Sequence, residues 1–276
     1  MIEEEINIEE IEELSEKVLA KYSTTVPVDP HEIAKRVGLR TFFEPYDKLF
    51  HGNTVFVGNK FLVLLNKNNL SDLNYPFARY TYAHELGHYF IPKHRNNIRK
   101  GKSYAFSGGR MYTPEKKIVE REANQFAASL LMPRTLFSEC YDSFDNLSFE
   151  TILHIKDYFN VSITTAAIRL NKLNLTPCIT IIWNKDGIKG KGVSKKFLEL
   201  FGNKYPIEIK INTDRPLIEE EKIYYEPNDI EYEKAITVLS SWTNSIPKDI
   251  ANQFLVIEET HKHQYGNFTL IRPLNN

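Results

Sequence analysis

Residues 76–91 form a helix-length run, PFARYTYAHELGHYFI, with apolar side chains on most faces and few charges. Such a pattern reads as a helix enclosed by other protein, so the chain must build a core around it. Into that interior the helix carries His84, Glu85 and His88, in the order His-Glu-Leu-Gly-His. Burying two imidazoles and a carboxylate without partners is costly, and the fold has to supply one. Four helical residues advance about 400°, which sets the two histidines one turn apart and about 40° round the axis. Imidazoles so placed can bind one tetrahedral Zn²⁺ at ~2.0–2.1 Å. Glu85 falls beside them, off the ligand axis but able to reach a water, which is where a general base belongs. Phe77, Tyr80 and Ile91 share the histidine face, and Gly87 near it leaves room for another backbone or a substrate.

A catalytic zinc takes a third protein ligand and keeps one position open. The next long helix, capped by Thr113 and Pro114 and running to about Met132, offers Glu120 and Glu122. Helical phase puts Glu120 on a small, apolar stripe with Ala123, Asn124, Ala127 and Leu131. Glu122 falls on a stripe with Gln125 and Ser129 that reads as solvated. Glu120 is the expected ligand and Glu122 the alternative. Asn124, one turn beyond Glu120, is placed to hydrogen-bond a ligand histidine and fix its tautomer; a plain bond between helices is the other reading. Tyr80, Tyr112 and Arg110 are candidates for stabilising an oxyanion, by proximity in sequence only. A His/His/Glu donor set suits Mn²⁺ as well as Zn²⁺.

At this point the chain resembles a known family. HELGH followed by EREANQFAASLLMP looks like the ImmA/IrrE metallopeptidases, a branch of the gluzincins. PVDPHEIAKRVGLR looks like their helical lead-in, and VLLNKNN followed by RYTYAHELGHYFIP like their strand and active-site helix. FNVSITTAAIRLNKLN is similar to the helix pair that follows LLMP. The match spans roughly residues 5–175. Carried onto these positions, the resemblance implies that His84, His88 and Glu120 bind zinc and that Glu85 is the base. It also implies a substrate class, a helix-turn-helix transcriptional repressor of a mobile element, prophage or stress regulon, cut at a limited site. The C-terminal region is similar in outline to the GAF-like sensory domain of some members.

The rest of the chain sets the frame. Its 276 residues suggest about two domains. The expected fold class is α+β: a mainly helical metallopeptidase domain with a small β-sheet over 1–175, then an α+β sensory or regulatory domain over 176–276. Helices are expected near residues 6–22, 29–38, 148–160 and 162–173, and strands at 40–44, 53–57 and 61–66. Beyond residue 176, strands are expected at 178–183, 206–211, 254–258 and 268–272, with a helix at 194–201. Glutamates on the first helix read as a solvated face. Residues 93–109 read as a polar loop, and its Ser-Gly-Gly-Arg at 107–110 as flexible chain near the site mouth. His261-Lys262-His263 reads as surface histidines in a loop. The helix pair at 149–173 carries only Arg169 and Lys172 as cations on its second helix, too few for a DNA reader.

A net charge of −1 gives no electrostatic footprint for direct nucleic-acid binding. The acidic start and the short apolar runs point to neither a secretory signal nor a membrane span, so a cytoplasmic protein is expected. Its two cysteines, Cys140 and Cys178, read as free thiols. Two functions remain in play. One is a zinc endopeptidase, and the other a non-catalytic antirepressor that keeps the zinc fold and sequesters its partner. Glu85 favours the first, because a binder has no chemical need for a base there.

Overall fold

A computed structural model describes residues 7–23, 25–47, 50–102, 104, 114–184, 187–202, 204–205, 219–225, 230–263 and 266–274; at 114–116, 219–225, 230–232, 262–263 and 266 this extends to the backbone only. The chain packs as two compact units. One is Met1–Glu139 with Lys156–Ser162, and the other is Cys140–Ile155 with Ile163–Asn276.

The first unit opens with α1 (Ile8–Tyr22), where the Asn7 side chain accepts from Glu10 N at 3.2 Å and caps the first turn. Next is α2 (Pro30–Arg36). Asp29 caps it by accepting from His31 N at 2.8 Å, and Gly38, at φ +71°, ends it as expected. Glu32, which the sequence offered as the return half of a capping box, instead accepts from Arg36 Nε at 2.8 Å.

The small sheet holds β1 (Arg40–Glu44), β2 (Gly52–Val57) and β3 (Lys60–Asn66) in the order β1-β3-β2. β2 and β3 form a hairpin whose two-residue turn, Gly58-Asn59, has both φ values positive, the turn that suits a twisted hairpin. β3 is therefore central, and among the described residues β2 is an edge strand.

Helix α3 (Pro76–Phe90) carries the histidine pair, and residues 81–88 are all buried. Its buried Arg79 donates to the carbonyls of Val28 at 2.6 Å and Asn160 at 3.2 Å. Residues read as the start of a polar loop form another helix, α4 (Pro92–Arg99). Pro92 at its first position is preorganised for helix, and His94 and Ile98, four apart, turn one narrow face inward. Helix α5 (Pro114–Leu131) packs along α3, and α6 (Arg134–Asp142) follows the break at Pro133.

Part of the expected solvated surface is buried. Glu12 of α1, 3% exposed, accepts from Gln125 Nε2 and Ser129 Oγ of α5, each at 2.7 Å. Polar residues there satisfy one another inside, so the Gln125/Ser129 stripe of α5 is not solvated, while Glu9, Glu10, Glu13 and Glu16 of α1 are exposed as expected.

The second unit takes in most of α7 (Phe149–Phe159), with Ser148 Oγ accepting from Thr151 N at 3.2 Å, and α8 (Ile163–Leu173). Arg169 of α8 is buried, so half of that helix's small cationic content is withdrawn from the surface. Then β4 (Ile179–Asn184), β5 (Gly187–Val193), β6 (Glu219–Tyr225), β7 (Ile230–Val238), β8 (Leu255–His263) and β9 (Gly266–Pro273) form an antiparallel sheet, ordered β5-β4-β9-β8-β7-β6. Short helices α9 (Lys195–Glu199) and α10 (Lys248–Ala251) accompany it. Ile179, Ile181, Phe197, Trp242, Val256 and Ile271 are buried in its core.

The expected strand at 206–211 lies outside the described residues. β5, β6 and β7 were not expected from the sequence, and the His261–His263 stretch lies in β8 rather than in a loop. The His261 ring packs 5.3 Å from that of Phe149. Cys140 and Cys178 are free thiols. Among the described residues no helix is long and apolar enough to cross a membrane.

Candidate metal centre

The centre is made where α3 meets α5. Gly87 allows this approach, because a Cβ there would stand 3.2 Å from the Ala123 Cα, the Ala123 carbonyl oxygen and the Phe126 Cβ. The room that the sequence left for a backbone or a substrate is taken by backbone. With the helices this close, Glu120 reaches both histidines. Its Oε2 lies 3.2 Å from His84 Nε2, its Oε1 lies 3.8 Å from His88 Nε2, and the two Nε2 atoms are 3.1 Å apart. All three residues are buried.

This donor set fits a metal ion. Atoms bound at ~2.0–2.1 Å to a tetrahedral ion stand about 3.3 Å from one another, and the observed separations bracket that value. Neither Glu120 oxygen has a hydrogen-bond partner among the described residues, although both are buried. Electron-rich atoms so crowded, and a buried carboxylate left without a donor, are accounted for by a shared cation. His84, His88 and Glu120 could hold one.

His84 is oriented from behind. Its Nδ1 is 2.9 Å from Asn124 Oδ1, which also accepts from the Tyr80 hydroxyl at 3.1 Å. An amide oxygen only accepts, so His84 carries its proton on Nδ1 and keeps the Nε2 lone pair for the centre. Burial lowers the affinity of His84 for a second proton, but Glu120 and Glu85 together outweigh that and leave its pKa raised. Tyr80 thus has its hydroxyl engaged with Asn124, and burial pushes its pKa up. Tyr112 and Arg110 lie outside the described residues. Glu122, the alternative ligand, turns instead to His94, with Oε2 2.7 Å from Nε2.

Glu85 is fully buried beside the cluster. Thr54 Oγ1, from the edge strand β2, lies 2.8 Å from Glu85 Oε2 and 2.9 Å from the Glu85 carbonyl oxygen. The other carboxylate oxygen, Oε1, has no partner among the described residues. Burial pushes this carboxyl up to about 7, with His84 and the Thr54 hydroxyl pulling the other way. Such a group takes up and releases a proton near neutrality. Gly52 makes its space: a Cβ there would lie 2.7 Å from Glu85 Cγ and Oε1. Thr54, Gly52 and His94 were not found from sequence. They come from other elements, and no local spacing ties them to the motif.

Comparison with known proteins agrees with this geometry. The family described as the IrrE N-terminal-like domain, peptidase M78, matches residues 34–171, half of the chain and the whole of the cluster. No curated protein matches. A solved structure described as a Mycobacterium tuberculosis transcriptional regulator shares the fold at a TM-score of 0.51 and 12% identity, over 96% of this chain and 76% of that one. With the HELGH helix and Glu120 inside the matched stretch, the chain belongs to the IrrE N-terminal-like, peptidase M78 family.

Proposed function

We propose that the protein is a zinc-dependent endopeptidase that makes a limited cut in a protein substrate, a helix-turn-helix repressor. The observation that carries this reading is the pairing of a buried His84/His88/Glu120 cluster with an adjacent buried carboxylate, Glu85, that has one oxygen held and one oxygen open. A purely structural site has no use for the second feature. Mn²⁺ suits the same donors.

When bound, the metal supplies Lewis acidity, polarising the scissile carbonyl and bringing the pKa of water towards ~7. The chain's own residues do the rest. Thr54 fixes Glu85 Oε2 and so aims Oε1. Glu85 takes the proton of the attacking water and returns it to the leaving amine, which suits a group pushed up to about 7. Asn124 holds the tautomer of His84 and so the direction of its lone pair. The edge strand β2 runs from the Glu85 contact outward, and a substrate segment can pair with such an edge in extended form.

The regulatory assignment extends beyond the family. Residues 1–175 are proposed as the peptidase and 176–276 as a sensory domain of GAF-like outline, in a cytoplasmic protein. A fold shared with a transcriptional regulator is in keeping with a partner of that class. The test uses the full chain and a helix-turn-helix protein encoded in the neighbouring reading frame. Wild type should cut it, and Glu85→Gln should retain metal and leave it intact. Release of the repressor from its DNA by Glu85→Gln as fully as by wild type would instead establish a stoichiometric antirepressor.

A further inference from the structure

Behind the metal-facing groups lies a row of buried polar contacts that this chemistry does not use. His88 sets its Nδ1 3.2 Å from Nδ1 of His94 in α4. His94 is itself fully buried, and its far nitrogen, Nε2, lies 2.7 Å from Oε2 of Glu122 in α5. The Tyr104 ring stacks on His88 with centroids 5.3 Å apart and planes 13° from parallel, and it lies 6.0 Å from the His94 ring. The order is Glu122, His94, His88, then the point shared with His84 and Glu120.

With the Nε2 lone pair of His88 kept for a cation, matching donors to acceptors fixes every proton in this row. An ionised carboxylate only accepts, so His94 donates from Nε2 to Glu122. A neutral His94 then has a lone pair at Nδ1, and His88 must donate to it from its own Nδ1. That leaves the Nε2 lone pair of His88 facing Glu120 and His84. In the reverse arrangement His94 would be an imidazolium donating to both Glu122 and His88, and His88 would then carry a proton rather than a lone pair on the Nε2 that faces the centre, which a bound cation does not allow. The two imidazoles of the motif are thus held differently. His84 rests on a neutral amide, and His88 on an imidazole backed by a carboxylate.

We infer that His94 and Glu122 are positioning residues for metal binding. They form a two-member relay that locks the tautomer and ring orientation of His88 and strengthens it as a donor. This rests on the metal-centre reading and deepens it: Glu122 serves the metal through two imidazoles rather than as a ligand. It also explains a buried histidine on α4, where an apolar residue would pack without needing partners.

The test measures Zn²⁺ affinity of the full chain by competition with a chromophoric chelator, for wild type, Glu122→Gln, His94→Phe and the double variant. Thermal melts of each are run in excess chelator. Each single change should raise the Kd for Zn²⁺ by about 10- to 100-fold. Glu122→Gln keeps the side-chain shape, and its melting temperature in chelator should stay near wild type. The double variant should bind no more weakly than His94→Phe alone, because Glu122 acts only through His94. Wild-type affinity in Glu122→Gln, losses that add in the double variant, or a loss in Glu122→Gln that follows a matching drop in melting temperature would each overturn the relay. If the wild-type chain takes up no Zn²⁺, the metal-centre reading falls with it. Wild-type uptake with unchanged affinity in Glu122→Gln removes the relay alone.

Discussion

Glu85 shows how far a single residue can be understood from the chain alone. Its position in His-Glu-Leu-Gly-His already places it beside the histidines and off the ligand axis. What aims it lies more than thirty residues back, on another element. Thr54 binds one oxygen, and Gly52 leaves the space in which the carboxylate sits. Two predictions follow from these contacts. Thr54→Val should keep the strand and the metal but free Glu85 Oε2, lowering kcat by about 10-fold or more at unchanged metal content. Gly52→Ala puts a methyl 2.7 Å from Glu85 Cγ and should likewise cut activity while metal content stays at wild type. Both are checked by metal analysis beside a peptide-cleavage assay, and loss of metal in either would show that the effect is not on Glu85. That Glu120 rather than Glu122 lies beside the two histidines was legible from helical phase. The fate of the rejected one was not, because His94 comes from a helix that the charges of residues 93–99 disguised.

At the level of elements, apolar periodicity found what it could measure. α1, α2 and the β2–β3 hairpin each show a clean pattern with a turn or cap at the end, and α3 shows instead as a continuous apolar run of helix length. α4 buries only a narrow face, and β6 opens on three consecutive glutamates at the end of its sheet, so neither offers the alternation or stripe that a sequence pattern needs. The contact of α3 with α5 is the element pair that makes the site, and Gly87 controls it. Gly87→Ala should push the helices apart, costing about 1–3 kcal/mol by overpacking and weakening metal binding together. A thermal melt and a metal titration of one preparation check this. In the second sheet, Glu259 of β8 accepts from Phe149 N at 2.8 Å, and burial, opposed by Arg272 and that hydrogen bond, raises its pKa above 4.5. A carboxyl raised on folding disfavours the folded state when ionised, so its contribution to stability grows as pH falls through the folded-state value towards 4.5. Glu259→Gln should remove that component, and the difference in melting temperature between variant and wild type should therefore change with pH across this window.

Over the whole molecule, the chain divides into two packed units while the family match covers residues 34–171. The family part was legible because a buried motif and the distant Glu120 that meets it sit in recognisable surroundings. The C-terminal sheet carries no motif, and although most of its strands pair with their neighbours in the chain, the pairing that closes it, β4 with β9, joins residues 179–182 to 268–271. Because an ion that binds only the folded chain stabilises it, Zn²⁺ at about 100 times its Kd should add about 2.7 kcal/mol of stability. Glu120→Ala should abolish most of that gain in a calorimetric melt. The most direct test of the central claim is a crystal structure of the Zn²⁺-loaded protein with anomalous data at the zinc edge. It should show one ion bound by Nε2 of His84, Nε2 of His88 and a carboxylate oxygen of Glu120, with an open position on the side of Glu85. A closed site with four protein ligands, or an ion bound away from this cluster, would contradict it.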